Sequence, residues 1–112
     1  MTGHAGLGGG RWFGLSILEQ LGNVGAEVGR AIRAKSQHND VRFQAAFDRA
    51  LELFDLTLAD PRWDLPRLRE IARARETSVD FLFGDNQYNS SAASIDRYFT
   101  SFAVAARTRR DR

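Results

Sequence analysis

The sequence predicts an all-α protein, an up-and-down four-helix bundle, on three observations. Four segments repeat apolar residues at the three-to-four spacing of an amphipathic helix. Short polar or proline-containing connectors separate them, and no run alternates with the period of two that a half-buried strand requires. At 112 residues, 43% of them hydrophobic, the chain has room for one domain, and eight Phe with two Trp give it a core to build. The expected division is a flexible Gly-rich leader over 1–14, the bundle over 15–108 and a short basic tail over 109–112.

The leader holds six of the ten glycines and no periodicity. Trp12 and Phe13 at its end are expected either to fold back onto the body or to dock a partner. Helix one begins at Ser16, where Ser16-Ile17-Leu18-Glu19 reads as a capping box. Leu18, Leu21, Val24, Val28 and Ile32 form its apolar stripe. Beside that stripe Gly22, Gly25 and Gly29 line up with Ala26. Each interior glycine costs about 1 kcal/mol relative to alanine, so the row implies that another backbone approaches there. A nucleotide-binding glycine loop does not fit, because such a loop follows a strand.

Helix two, capped by Asn39 or Asp40, runs to about Ala59 with Phe43, Phe47, Ala50, Phe54 and Leu58 on one face. Leu51, Leu53 and Leu56 widen that face, which predicts contact with more than one neighbour or with another subunit. Asp64 caps helix three, with Pro66 in its first turn, an apolar stripe of Leu68, Ile71, Ala72, Val79 and Leu82, and Gly84 as the C-terminal cap. Helix four runs from about Ala92 to Thr108 and presents Ile95, Phe99, Phe102 and Ala106.

Charge is unevenly placed. Residues 107–112 carry four Arg and one Asp, a net +3, so the other 106 residues sum to −1 within the overall +2. Of the 16 basic residues only Lys35 is lysine. Arginine pairs bidentately with carboxylate and phosphate. A nucleic-acid contact is therefore assigned to Arg67, Arg69 and Arg73 of helix three with Arg107, Arg109 and Arg110 of the tail. RNA or DNA is the partner this implies.

The remaining chemistry is sparse. Without cysteine there is no disulfide, thiolate nucleophile or Cys-ligated metal. No Glu-x-x-His occurs, and His4 and His38 are the only histidines, so neither a metal nor a cofactor is expected. Arg33 and His38 form an Arg-x4-His pattern similar to the pair used by small helical nucleases of the HEPN class, but the pattern straddles a helix end and a loop. Asp48, Glu52 and Asp55 share a face of helix two, where like charges can raise one pKa or meet arginines of helix three. Arg75 lies on the apolar stripe of helix three, which predicts a buried ion pair with Glu27 or a carboxylate of helix two.

Three segments carry a resemblance: Leu21–Val28 (LGNVGAEV), Ala46–Thr57 (AFDRALELFDLT) and Asp85–Ser91 (DNQYNSS) ahead of Tyr98-Phe99. Together they resemble a family of small, uncharacterised prokaryotic helical proteins over about residues 16–107. That resemblance implies a four-helix protein and lends no catalytic residue. In bundle size alone the chain is also loosely similar to the helical accessory proteins of some retroelement reverse transcriptases.

These readings combine into a non-catalytic interaction module, self-associating or a small subunit of a larger assembly, with Gly22, Gly25, Gly29, Leu51, Leu53 and Leu56 as its interface. The alternative is a nucleic-acid-binding accessory protein; an RNase using Arg33 and His38 stands third. No signal-like start or long apolar run is present, so a soluble cytoplasmic protein without membrane contact is expected.

Overall fold

The computed structural model describes residues 10–110, and among these the chain is helical with no strand. Helix α1 spans Ile17–Ser36, α2 Asp40–Leu58, α3 Leu65–Leu82 and α4 Ala92–Arg110. Residues 10–12 add a helical turn ahead of α1. Residues 1–9 of the expected leader and 111–112 of the expected tail lie outside the described residues. Helix α4 continues past Thr108, so Arg109 and Arg110 belong to it.

Local sequence explains the boundaries. Ser16 Oγ accepts the Glu19 N–H at 3.1 Å while Glu19 Oε1 accepts the Ser16 N–H at 3.0 Å, a complete capping box. Asn39 and Asp64 cap α2 and α3 through the N–H groups of Arg42 and Arg67. The end of α3 departs from expectation. Phe83 is the C-cap, Gly84 donates its N–H to the Val79 carbonyl, and no described glycine has positive φ. Instead Lys35 reaches across from the last turn of α1, donating from Nζ to the Leu82 carbonyl at 2.7 Å and the Phe81 carbonyl at 3.4 Å. A lysine there meets free carbonyls and the negative end of the helix dipole. In the following loop Asn86 and Asn89 take left-handed φ values of 53° and 55°, which asparagine tolerates better than most residues. The Asn86 amide clamps the backbone of Ser90, and the Asp80 carboxylate accepts the N–H groups of Gln87 and Tyr88.

Helix α1 is the central element and packs most extensively on α2 and α4. Leu21, Val24, Val28, Ala31 and Ala34 are buried along it. Two of its glycines face α4. A Cβ on Gly25 would collide with the Cβ and ring of Phe99, and one on Gly22 would lie 3.2 Å from Ala103 Cα. Gly29 has no such neighbour: a Cβ there would meet only Arg33 Nη1, at 3.4 Å. The glycine row is therefore an interface within the chain, made by two of its three members.

Helix α2 corrects the expected subunit interface. Leu53 and Leu56 are buried within the chain at 6% and 8% exposure, and Leu51 is half-buried against the same core. One chain thus covers most of this face, because α1 and α3 both pack on α2. On α3 the buried positions are Ile71, Ala74, Ser78 and Leu82, which turns Arg75 to the margin. Arg75 pairs with Asp55 at 3.3 Å in an exposed setting, and Glu27 pairs with Arg30 on its own helix at 2.7 Å. Of the two partners expected for Arg75, Glu27 does not pair with it, whereas a carboxylate of α2, Asp55, does, at the margin and not in a buried setting.

Trp12 folds back and is buried, with Phe13 half-buried beside the core. Its indole N–H donates to Thr57 Oγ1 at 2.9 Å. The fully buried Gln20 of α1 joins three segments: Nε2 donates to the Trp12 carbonyl at 2.8 Å and Asp60 Oδ2 at 2.9 Å, and Oε1 accepts the Trp63 indole N–H at 3.0 Å. Arg62 forks onto Asp60, donates to the Leu15 carbonyl and lies 4.4 Å from the Trp63 ring centroid. Every member of this network has a partner, the condition under which buried polar groups stabilise a fold.

Candidate nucleic-acid interface

An open groove of about 620 Å³ lies between the C-terminal half of α1 and the N-terminal half of α2. The helical period places Arg30, Arg33 and Gln37 on one wall and Arg42, Ala45 and Arg49 on the other. Buried Ala34 and Ala46 let the two helices approach at its floor. All four guanidinium-bearing side chains belong to exposed residues, and Glu27 is the one carboxylate in the lining.

Two of the arginines are engaged locally. Arg30 contacts Glu27 at 2.7 Å and Arg49 contacts Glu52 at 2.6 Å, both i,i+3 pairs with the arginine more than half exposed. Pairs of this kind are worth little and exchange readily for a better partner. Arg33 and Arg42 make no ion pair among the described residues. The Arg33 head folds back over Gly29, where a larger residue would begin to crowd it. Four arginines around one groove make a locus for phosphate oxygens, since each guanidinium can donate two parallel hydrogen bonds.

The residues singled out from sequence are more dispersed. Arg67 is tied to Asp64 at 3.3 Å, Arg69 is exposed, and Arg73 sits near the α3–α4 cleft. Arg107 and Arg109 are exposed near the end of α4, and the side chain of Arg110 lies outside the described residues. Arg33 and His38 do not share a concavity. Arg33 lines the arginine groove, whereas His38, in a left-handed conformation with φ 55°, lines a separate hollow with Lys35, Asp40, Phe43, Leu82 and Phe83. The carboxylates of α2 also separate: Asp48 accepts from Gln44, Glu52 from Arg49 and Asp55 from Arg75. Among the described residues no group of three or more His, Asp or Glu is placed to hold a metal ion, and no helix is long and apolar enough to cross a membrane.

Sequence reasoning missed the groove because its arginines are split between two helices on either side of a connector. The signal was available: Arg30 and Arg33 on α1 and its C-cap Gln37 recur at helical spacing, as do Arg42, Ala45 and Arg49 on α2. No known protein family, curated protein or solved structure matches this chain.

Proposed function

We propose that this protein is a non-catalytic accessory protein that binds single-stranded nucleic acid along the α1–α2 groove. The observation that carries the reading is the convergence of Arg30, Arg33, Arg42 and Arg49 on one open groove, with Arg33 and Arg42 free of carboxylate partners among the described residues. The reading takes the four helices as an up-and-down bundle, an arrangement supported by the short connectors 37–39 and 59–64. In such a bundle the groove runs along two antiparallel helices and is long enough for a few successive phosphates. Arginine contacts to phosphate confer affinity without sequence preference. The test is titration of labelled single-stranded RNA with wild-type protein and an Arg33→Ala/Arg42→Ala variant at several salt concentrations. Equal affinity for both proteins rejects the groove as the binding surface.

A protein-docking reading is supported by a different surface. Phe83 is 62% exposed yet stacks on Phe47 at 5.0 Å and on Phe43 at 6.2 Å between ring centroids. A large aromatic held in place by two others and still open to solvent suits an anchor for a partner chain. Phe83→Ser would weaken capture of that partner and leave RNA binding unaltered, which separates the two surfaces.

A further inference from the structure

We propose that the cleft between α3 and α4 is a binding site for a small, neutral, mainly apolar molecule that carries one hydrogen-bonding group. Helices α3 and α4 make little backbone contact with each other. Between them lies a cavity of about 200 Å³ lined chiefly by Ala74, Thr77, Ser78, Ile95, Tyr98 and Phe99. The walls are small or apolar, and the space suits a single ring with a few substituents. An apolar cavity of roughly 150 Å³ is large enough to take up benzene.

Ser78 supplies the second observation. It is 3% exposed, lines the cavity, and its Oγ has no hydrogen-bond partner. A serine inside a helix commonly returns its hydroxyl to the carbonyl four residues earlier, here that of Ala74, but Ser78 makes no such bond. Buried polar atoms are almost always satisfied, so the Ser78 hydroxyl has hydrogen-bonding capacity to spare at this wall. Two of the other hydroxyls at the cleft, those of Ser94 and Tyr98, are committed elsewhere; Thr77 and Ser90 line it nearer its rim, where they are half-buried. Ser94 Oγ donates to the Ser91 carbonyl and accepts the Ser91 N–H, and Tyr98 Oη donates to Glu70 at 3.5 Å. Burial, followed by the Glu70 charge and hydrogen bond, pushes the Tyr98 phenol up to about 12, so this wall stays neutral. Arg73 is the one charged residue of the lining, and Glu70 lies close enough to act with it on the same Tyr98 phenol. The ligand class that follows is an uncharged ring or short chain whose single polar group meets Ser78.

The test uses phenol and benzene as probes, with amide NMR shifts of the whole chain as the readout. Phenol is expected to give saturable shifts centred on Ser78 and Ile95 and to bind more tightly than benzene. Ser78→Ala, a substitution small enough to preserve the fold, is expected to cut phenol affinity by about two- to tenfold, the range of one net hydrogen bond. Benzene affinity should not fall in that variant. Ala74→Leu should fill the cavity and abolish the shifts from both probes. Absence of saturable shifts with the wild-type protein overturns the site, and an unchanged advantage of phenol over benzene in Ser78→Ala overturns the role given to Ser78.

Discussion

Gly25 of α1 and Phe99 of α4 interlock: the volume that a side chain at position 25 would occupy is filled by the Cβ and ring of Phe99. Phe99 is buried and meets Phe54 of α2 edge-on at 6.3 Å, so its ring has little freedom to withdraw. Gly25→Ala should gain about 1 kcal/mol of helix propensity and still lose stability overall, by roughly 1–3 kcal/mol, through overpacking. Gly29→Ala is the control. It faces only the far end of Arg33, so the propensity gain should survive as a raised Tm. Urea denaturation of the two variants checks the contrast, and like signs for both would remove the packing account.

Asp60 makes stability depend on pH at the acid end. The Arg62 fork, aided by the Arg62 and Gln20 N–H groups and opposed by burial, holds its carboxyl at about 2 against an ordinary value of 3.8. A carboxyl depressed in the folded state stabilises that state at every pH above its unfolded value. The contribution therefore declines as pH falls from about 4 towards 2. It amounts to roughly 2 kcal/mol at neutral pH. Asp60→Asn should lower stability near neutrality and flatten the curve over that acid interval, as read from denaturant midpoints at a series of pH values.

Gln20 is the hub through which the N-terminal turn, α1 and the α2–α3 connector hold one another. Gln20→Leu preserves most of the volume but strips the Trp12 carbonyl, Asp60 and the Trp63 indole of a partner each. The expected loss is roughly 2–4 kcal/mol: the Trp63 indole N–H is stranded, while the Trp12 carbonyl keeps the Leu15 N–H and Asp60 keeps Arg62, each losing one bond worth about 1 kcal/mol. Trp12→Phe removes only the bond to Thr57, whose hydroxyl still donates to the Leu53 carbonyl at 2.7 Å, and should cost about 1 kcal/mol. Comparable losses in both variants would contradict the hub.

The helices and their starts were legible because local signals decide them: Ser16 with Glu19, Asn39 and Asp64 all cap as their residue types and spacing require. The close approach at Gly25 was legible too, since three interior glycines need a packing reason. What covers the wide face of α2 was not. Periodicity gives the width of an apolar face but not the number of neighbours within one chain, so Leu53 and Leu56 read as surplus when α1 and α3 already enclose them. Arg75 meets a carboxylate of α2 as expected, but its burial was misjudged for a related reason. A stripe drawn through Ala72 and Val79 rotates the face of α3, whereas the buried line runs through Ala74 and Ser78, and only tertiary packing chooses between two small-residue stripes. The arginine groove and the α3–α4 cleft are both products of two helices meeting, and no single segment encodes either.

The groove and the end of α4 make different predictions for nucleic-acid binding. Each arginine that neutralises a phosphate releases counterions, so the slope of log affinity against log salt should be about −0.7 per contact on a single strand. Four groove arginines then give a slope of roughly −3. Arg33→Ala or Arg42→Ala should each weaken binding to all sequences alike and make the slope shallower by about 0.7. Helicity should not change, because both residues are exposed and neither holds an ion pair that the fold uses. Arg30→Ala and Arg49→Ala should act less strongly, since Glu27 and Glu52 already compete for those heads. Arg107→Ala/Arg109→Ala alters two exposed residues near the end of α4, remote in sequence from the groove, and should leave both affinity and slope close to wild type. The measurement is fluorescence anisotropy with labelled single-stranded RNA across a salt series. If the α4 variant loses the slope while the groove variants keep it, binding belongs to the arginines at the end of α4 and the groove reading falls.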